Sequence, residues 1–146
     1  MASGALLPSG SAQDSQVLTA IGEKASGKRD GAMEARVKVQ LRPGYHVNSN
    51  APADAFLIPL RLTWHTQSFQ VEKVTYPTPR MERYEFSDKP VSVFTGDFEI
   101  LTRLKVPKTA TPGLGALSGK LRYQACNEKM CLPPKTLDVR LPYNVQ

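Results

Sequence analysis

Met33-Glu34-Ala35-Arg36-Val37-Lys38-Val39-Gln40-Leu41 alternates apolar and polar side chains almost step by step. A period of two puts Ala35, Val37, Val39 and Leu41 on one face and Arg36 and Lys38 on the other, as in a strand with one side buried and one in water. The same pattern recurs along the chain. Phe56–Trp64 aligns Phe56, Ile58, Leu60, Leu62 and Trp64, and Asp97–Val106 aligns Phe98, Ile100, Leu104 and Val106. Leu114–Ala125 sets Leu117, Leu121 and Tyr123 against Lys120, Arg122 and Gln124, and Thr136–Pro142 closes with Leu137, Val139 and Leu141. Ser68–Tyr76 and Pro90–Phe94 read as more irregular strands. Turn chemistry separates the runs: Arg42-Pro43-Gly44, Asn50-Ala51-Pro52, Pro77-Thr78-Pro79, Thr95-Gly96-Asp97 and Thr111-Pro112-Gly113. No segment sustains helical periodicity, and no internal repeat is evident. Many short strands joined by Pro/Gly turns predict an all-β sandwich or barrel.

A chain of 146 residues is one domain's worth. Its composition, 40% hydrophobic and 22% charged, is that of a globular protein, and no stretch approaches the roughly 20 apolar residues that a membrane helix needs. Residues 1–31 hold five of the ten glycines and balance their charges, so they read as a loose leader with a short strand at Gln16–Ile21. The N-terminus has no basic segment followed by an apolar run and is not expected to be an intact signal peptide. Residues 1–15 are expected to be a flexible leader, natural or added for expression, and residues 16–146 the folded domain. The net charge of +6 arises after residue 31, from basic residues spaced along strands rather than clustered with aromatics. That spacing argues against a nucleic-acid partner.

The only two cysteines lie in Tyr123-Gln124-Ala125-Cys126-Asn127-Glu128-Lys129-Met130-Cys131-Leu132-Pro133-Pro134. Five extended residues span about 17 Å, so Asn127–Met130 must turn back for the sulfurs to meet, as at a hairpin tip. A bridge closing so short a loop removes only about 2 kcal/mol of unfolded-chain entropy, little for a structural staple. It could be reduced and re-formed without unfolding the domain. Continuing the alternation from Leu121 and Tyr123 puts Cys126 on the opposite, polar face with Arg122 and Gln124. Lys129 and Lys135 favour a thiolate, Glu128 opposes it, and Pro133-Pro134 fixes the chain after Cys131. From the residues alone, an exchange-active pair and a merely structural bridge both stand. Zinc would need more ligands than distant His46 and His65 supply, and the C-x-x-C-H of haem attachment is absent. No metal or organic cofactor is expected. His46 reads as a satisfied structural histidine and Trp64, on an apolar face, as core.

The segment Tyr123-Gln124-x-Cys126-x4-Cys131-x-Pro133-Pro134 resembles the N-terminal domain of the thiol:disulfide interchange protein DsbD family. A second stretch agrees: Gly44-Tyr45-His46-Val47-Asn48-Ser49-Asn50, followed by Phe56-Leu57-Ile58-Pro59, is similar to that family's G-(Y/W)-H-(I/V)-N strand and turn. The likeness covers roughly residues 16–145. Some members carry one more residue between the cysteines, so the loop's conformation is not carried over. The resemblance implies an immunoglobulin-like β-sandwich working in the periplasm as the soluble part of an inner-membrane protein. It implies a protein-disulfide reductase fed by membrane and thioredoxin-like domains, with periplasmic disulfide isomerases and cytochrome c maturation thioredoxins as acceptors. Cys131 would form the mixed disulfide and Cys126 resolve it. Tyr84, Glu85 and Phe86 would belong to a cap loop shielding the cysteines, with Phe86 as the cap, and Tyr45 would border the site. The rival reading is a non-enzymatic β-sandwich binding module with a structural disulfide.

Overall fold

The computed structural model of the chain describes residues 17–52, 54 and 56–146. They form β1 (Leu18–Gly22), β2 (Ala25–Gly27), β3 (Ala32–Leu41), β4 (His46–Asn48), β5 (Arg61–His65), β6 (Gln70–Thr75), β7 (Arg80–Glu82), β8 (Val91–Thr95), β9 (Phe98–Lys105), β10 (Gly113–Tyr123), β11 (Ala125–Cys126) and β12 (Lys135–Val145), with no helix among them.

The larger sheet has the order β5-β10-β12-β2-β3-β9-β6, with β1 also paired to β3. Strand spacing of about 4.8 Å would hold β5 and β9 some 24 Å apart in a flat sheet. Instead, Trp64 Nε1 on β5 donates to Thr102 Oγ1 on β9 at 2.8 Å. The backbone N–H of Leu62, also on β5, donates to the hydroxyl of Tyr76, just past β6, at 3.0 Å. The sheet therefore curls until its two ends face each other. The inward side chains, among them Val37, Val39, Ile100, Leu104, Leu121 and Leu141, are fully buried between the layers. This is the expected all-β, immunoglobulin-like sandwich, with Trp64 in the core. Gly119 lets it close, because a Cβ there would lie 2.8 Å from the Trp64 ring. The outward faces carry cross-strand ion pairs such as Arg36–Glu99 at 2.9 Å and Lys38–Glu23 at 3.1 Å. Exposed pairs of this kind add little stability but account for the spaced charges.

Two expectations need correction. The loose leader does not extend to residue 31: the strand expected at Gln16–Ile21 is β1, antiparallel to β3, and β2 runs parallel to β12. The leader expected at 1–15 lies outside the described residues. The strand expected over Phe56–Trp64 exists only as Arg61–His65, and Phe56 is 90% exposed. The preceding backbone is engaged elsewhere, since the Ile58 carbonyl accepts from Asn48 Nδ2 at 3.0 Å and the Leu60 N–H donates to the Ser49 carbonyl at 3.2 Å.

A second sheet, β11-β4-β8-β7, grows from the end of the first. The chain passes from β3 into β4 through Pro43-Gly44, where Gly44 has φ 89°, a conformation glycine adopts without strain. It returns from β8 to β9 through Gly96 and leaves β10 for β11 at Gln124. All three β4 residues are buried: strands flank both edges, Val47 faces the main core, and the opposite face is covered at His46 by Tyr84. This small sheet carries the cysteines.

Candidate functional site

Cys126 and Cys131 are joined by a disulfide across an antiparallel bridge, with Cα atoms 3.9 Å apart. Backbone bonds bracket the pair: the Leu132 N–H donates to the Ala125 carbonyl at 2.8 Å and the Asn127 N–H to the Met130 carbonyl at 2.9 Å. The two cysteines thus occupy a non-hydrogen-bonded position of the ladder, where side chains approach most closely. Asn127 supports the turn independently of the sulfurs, its Oδ1 accepting from the N–H groups of Lys129 at 2.8 Å and Met130 at 2.9 Å. The hairpin tip expected from the sequence is present.

Cys126 keeps the expected face, opposite Leu121, Tyr123 and Ala125, which belong to the main core, but that face is not solvated at this point. Cys126 is fully buried, whereas Cys131 is partly exposed at the sheet edge. Ala125 and Cys126 are buried in succession because both faces are covered here, Ala125 by the main core and Cys126 on the face that it shares with His46. Gln124 is anchored at this joint: its Nε2 donates to the Leu132 carbonyl at 3.3 Å, and its Oε1 accepts from Asn48 Nδ2 at 3.5 Å. The two sequence motifs are thereby tied together. Val47 pairs with Ala125, His46 pairs with Cys126, and Asn48 holds both Gln124 and the loop at Ile58.

Cys131, Cys126, His46 and Thr95 form one row of cross-strand neighbours running from the edge inward. Directly opposed residues project to the same face, so what lies over His46 lies on the face that bears Cys126. Tyr84 lies there, its ring stacked on the imidazole at a centroid distance of 4.0 Å and 14° between planes. The Phe86 ring is 6.1 Å from His46 and nearly parallel to Tyr84. Both rings come from the loop between β7 and β8, closed by the Ser87 N–H donating to the Tyr84 carbonyl at 3.2 Å. Of the residues assigned to a cap, Tyr84 makes the closer stack, Phe86 is 36% exposed, and Glu85 points to solvent. Tyr45 is half-buried and, with His46, Tyr84, Thr95, Asp97 and Glu128, lines an open groove of about 560 Å³ beside the row.

His46 is not the satisfied structural histidine that the sequence suggested. It is 2% exposed, and its Nε2 has no hydrogen-bond partner among the described residues. Burial lowers its pKa from 6.5 to about 4, so the ring is neutral at pH 7. The Tyr84 hydroxyl is shifted upward, by burial first and by Glu82 next, with Arg80 opposing and Glu128 adding to it. That last influence brings the cysteine loop and the Tyr84 loop within electrostatic reach. His65 lies on β5 in the other sheet, and no group of three or more His, Cys, Asp or Glu among the described residues is placed to hold a metal ion.

A β-sandwich presenting a short-loop cysteine pair at a sheet edge has the build of a thiol–disulfide exchange domain. The sequence model of the family "Thiol:disulfide interchange protein DsbD, N-terminal" matches residues 17–142, and the chain belongs to that family. Among solved structures it is similar to the Neisseria meningitidis DsbD N-terminal domain in its reduced form, at 15% identity and a TM-score of 0.55, covering 97% of this chain and 96% of that one. It is also similar to the N-terminal periplasmic domain of ScsB from Proteus mirabilis, at 17% identity and a TM-score of 0.53, covering 83% of this chain but only 44% of that one. A type I cohesin of Pseudobacteroides cellulosolvens shares the sandwich at 12% identity and a TM-score of 0.52, covering 88% of this chain and 92% of that one. No curated protein sequence is detectably similar to the chain.

Proposed function

We propose that the chain is a periplasmic protein-disulfide reductase domain that relays electrons by two successive thiol–disulfide exchanges. The observation that carries this reading is the asymmetry of the two sulfurs: Cys131 is partly exposed at the sheet edge, and Cys126 is buried behind it. In the reduced domain the Cys131 thiolate attacks a partner's disulfide, forming a mixed disulfide and expelling one partner thiolate. Cys126 then attacks the Cys131 sulfur, re-forming the internal bridge and releasing the second partner thiolate. Two electrons pass to the partner, and access selects which sulfur engages it. An upstream dithiol resets the domain by the reverse sequence.

Family membership supports that upstream donor being a thioredoxin-like domain of the same or a related protein. The acceptors are then periplasmic disulfide isomerases and cytochrome c maturation thioredoxins, and the compartment is the one named for the ScsB domain. Tyr84, Glu85 and Phe86 act as a cap that partners displace, and Tyr45 borders the docking groove. Trapping tests the roles of the sulfurs. Cys126→Ala should accumulate a mixed disulfide with a thioredoxin-like partner while Cys131→Ala does not; equal trapping by both, or by neither, refutes the assignment.

A further inference from the structure

We propose that His46 is a positioning residue that tunes the couple, its buried ring nitrogen receiving a hydrogen bond from the Cys126 thiol once the bridge is reduced. The inference rests on the redox reading above and adds a residue to it.

Three observations meet at His46. It faces Cys126 directly across the β11–β4 ladder, so the two side chains share one face of the small sheet. Its ring is held in place by the Tyr84 stack and by burial within β4. Its Nε2 is buried without a partner while the sulfurs are bonded to each other. A buried nitrogen left unpaired is costly, and a neighbouring donor removes that cost. The bridged Cys126 sulfur carries no hydrogen. Reduction by two glutathiones breaks the Cys126–Cys131 bond and places one proton on each sulfur, while the two electrons leave one glutathione disulfide behind. The Cys126 sulfur is then free to rotate about its Cα–Cβ bond and has a proton to donate to its cross-strand neighbour. His46 therefore favours the reduced state of a domain whose work requires it to be reduced.

The test is the equilibrium between bridge and dithiol in glutathione buffers, comparing the 146-residue chain with His46→Phe, which keeps a flat ring for Tyr84 and removes both nitrogens. The variant's bridge is expected to be about tenfold harder to reduce, a shift of about 30 mV to more negative potential for this two-electron couple. A purely structural role would change unfolding temperature without moving the potential. A wild-type bridge that glutathione reduces in the folded chain, with a constant unchanged in folded His46→Phe, overturns the inference and leaves the redox reading intact. A bridge that resists reduction until the wild-type chain unfolds overturns both. Nitrogen NMR of the wild-type imidazole decides the matter should the variant fail to fold. Nε2 is expected to shift on reduction of the bridge, and an unmoved Nε2 resonance overturns the inference.

Discussion

Cys126 stands opposite His46 on adjacent antiparallel strands, and Tyr84 lies stacked on that imidazole at 4.0 Å. Residues 80 positions apart in sequence thus build one layered patch, with the second sulfur, Cys131, at its exposed rim. The chemistry expected of the pair follows from this order: outer sulfur, inner sulfur, neutral buried ring, aromatic cover.

Stability should depend on pH through His46. Its folded pKa of about 4 lies below the unfolded value of 6.5. Between these values the unfolded chain binds a proton that the folded chain does not, so the contribution is complete above pH 6.5 and is lost as pH falls towards 4. Denaturant unfolding should lose up to about 3 kcal/mol across that window from this group. His46→Phe should flatten this part of the profile, and an unchanged slope in the variant would show that the ring is not held neutral.

Rings over the site should slow small reductants. Tyr84→Ala is expected to raise the second-order rate of bridge reduction by dithiothreitol several-fold. Phe86→Ala should raise it less, because its ring lies 6.1 Å from His46 rather than 4.0 Å. The loss of a stacked pair should cost only about 1 kcal/mol of stability. Stopped-flow reduction of folded protein is the measurement, and equal rates in all three proteins would remove the cap role.

Asn127 should hold the sulfurs in register after reduction. Its side chain accepts two loop N–H groups that do not depend on the bridge. Asn127→Ala should make ring closure several-fold less favourable in glutathione buffers and cost about 1 kcal/mol of stability. Asn127→Asp keeps the acceptor and should behave much as the wild type. An alanine variant with an unaltered equilibrium would mean that the flanking backbone bonds suffice.

The sandwich was legible where alternation coincides with an antiparallel ladder. β3 shows it well, because Val37 and Val39 face the core while Arg36 and Lys38 meet Glu99 and Glu23 outside. Alternation misled at Phe56–Ile58, where side chains and loop groups engage the backbone and no partner strand is present. β2, Ala25-Ser26-Gly27, carries no bulky side chain to announce it. At the site, the cysteine pair and its turn were readable from spacing, whereas the expectation of a cap at Tyr84–Phe86 came from the family resemblance and not from a local pattern. The burial of Cys126 was not readable, since the face that it shares with His46 is covered by residues distant in sequence. Nor was the row through His46, since register between distant strands leaves no local pattern.

Electron relay by this pair requires the Cys126–Cys131 bridge to open and close within an intact sandwich. Titration of the chain through graded glutathione buffers, with thiol content and near-ultraviolet circular dichroism followed together, tests it most directly. A reversible two-electron transition in thiol content is expected while the signal of the folded core, Trp64 included, persists. Thiols that appear only as that signal collapses would mean that the bridge is a structural staple and not a relay.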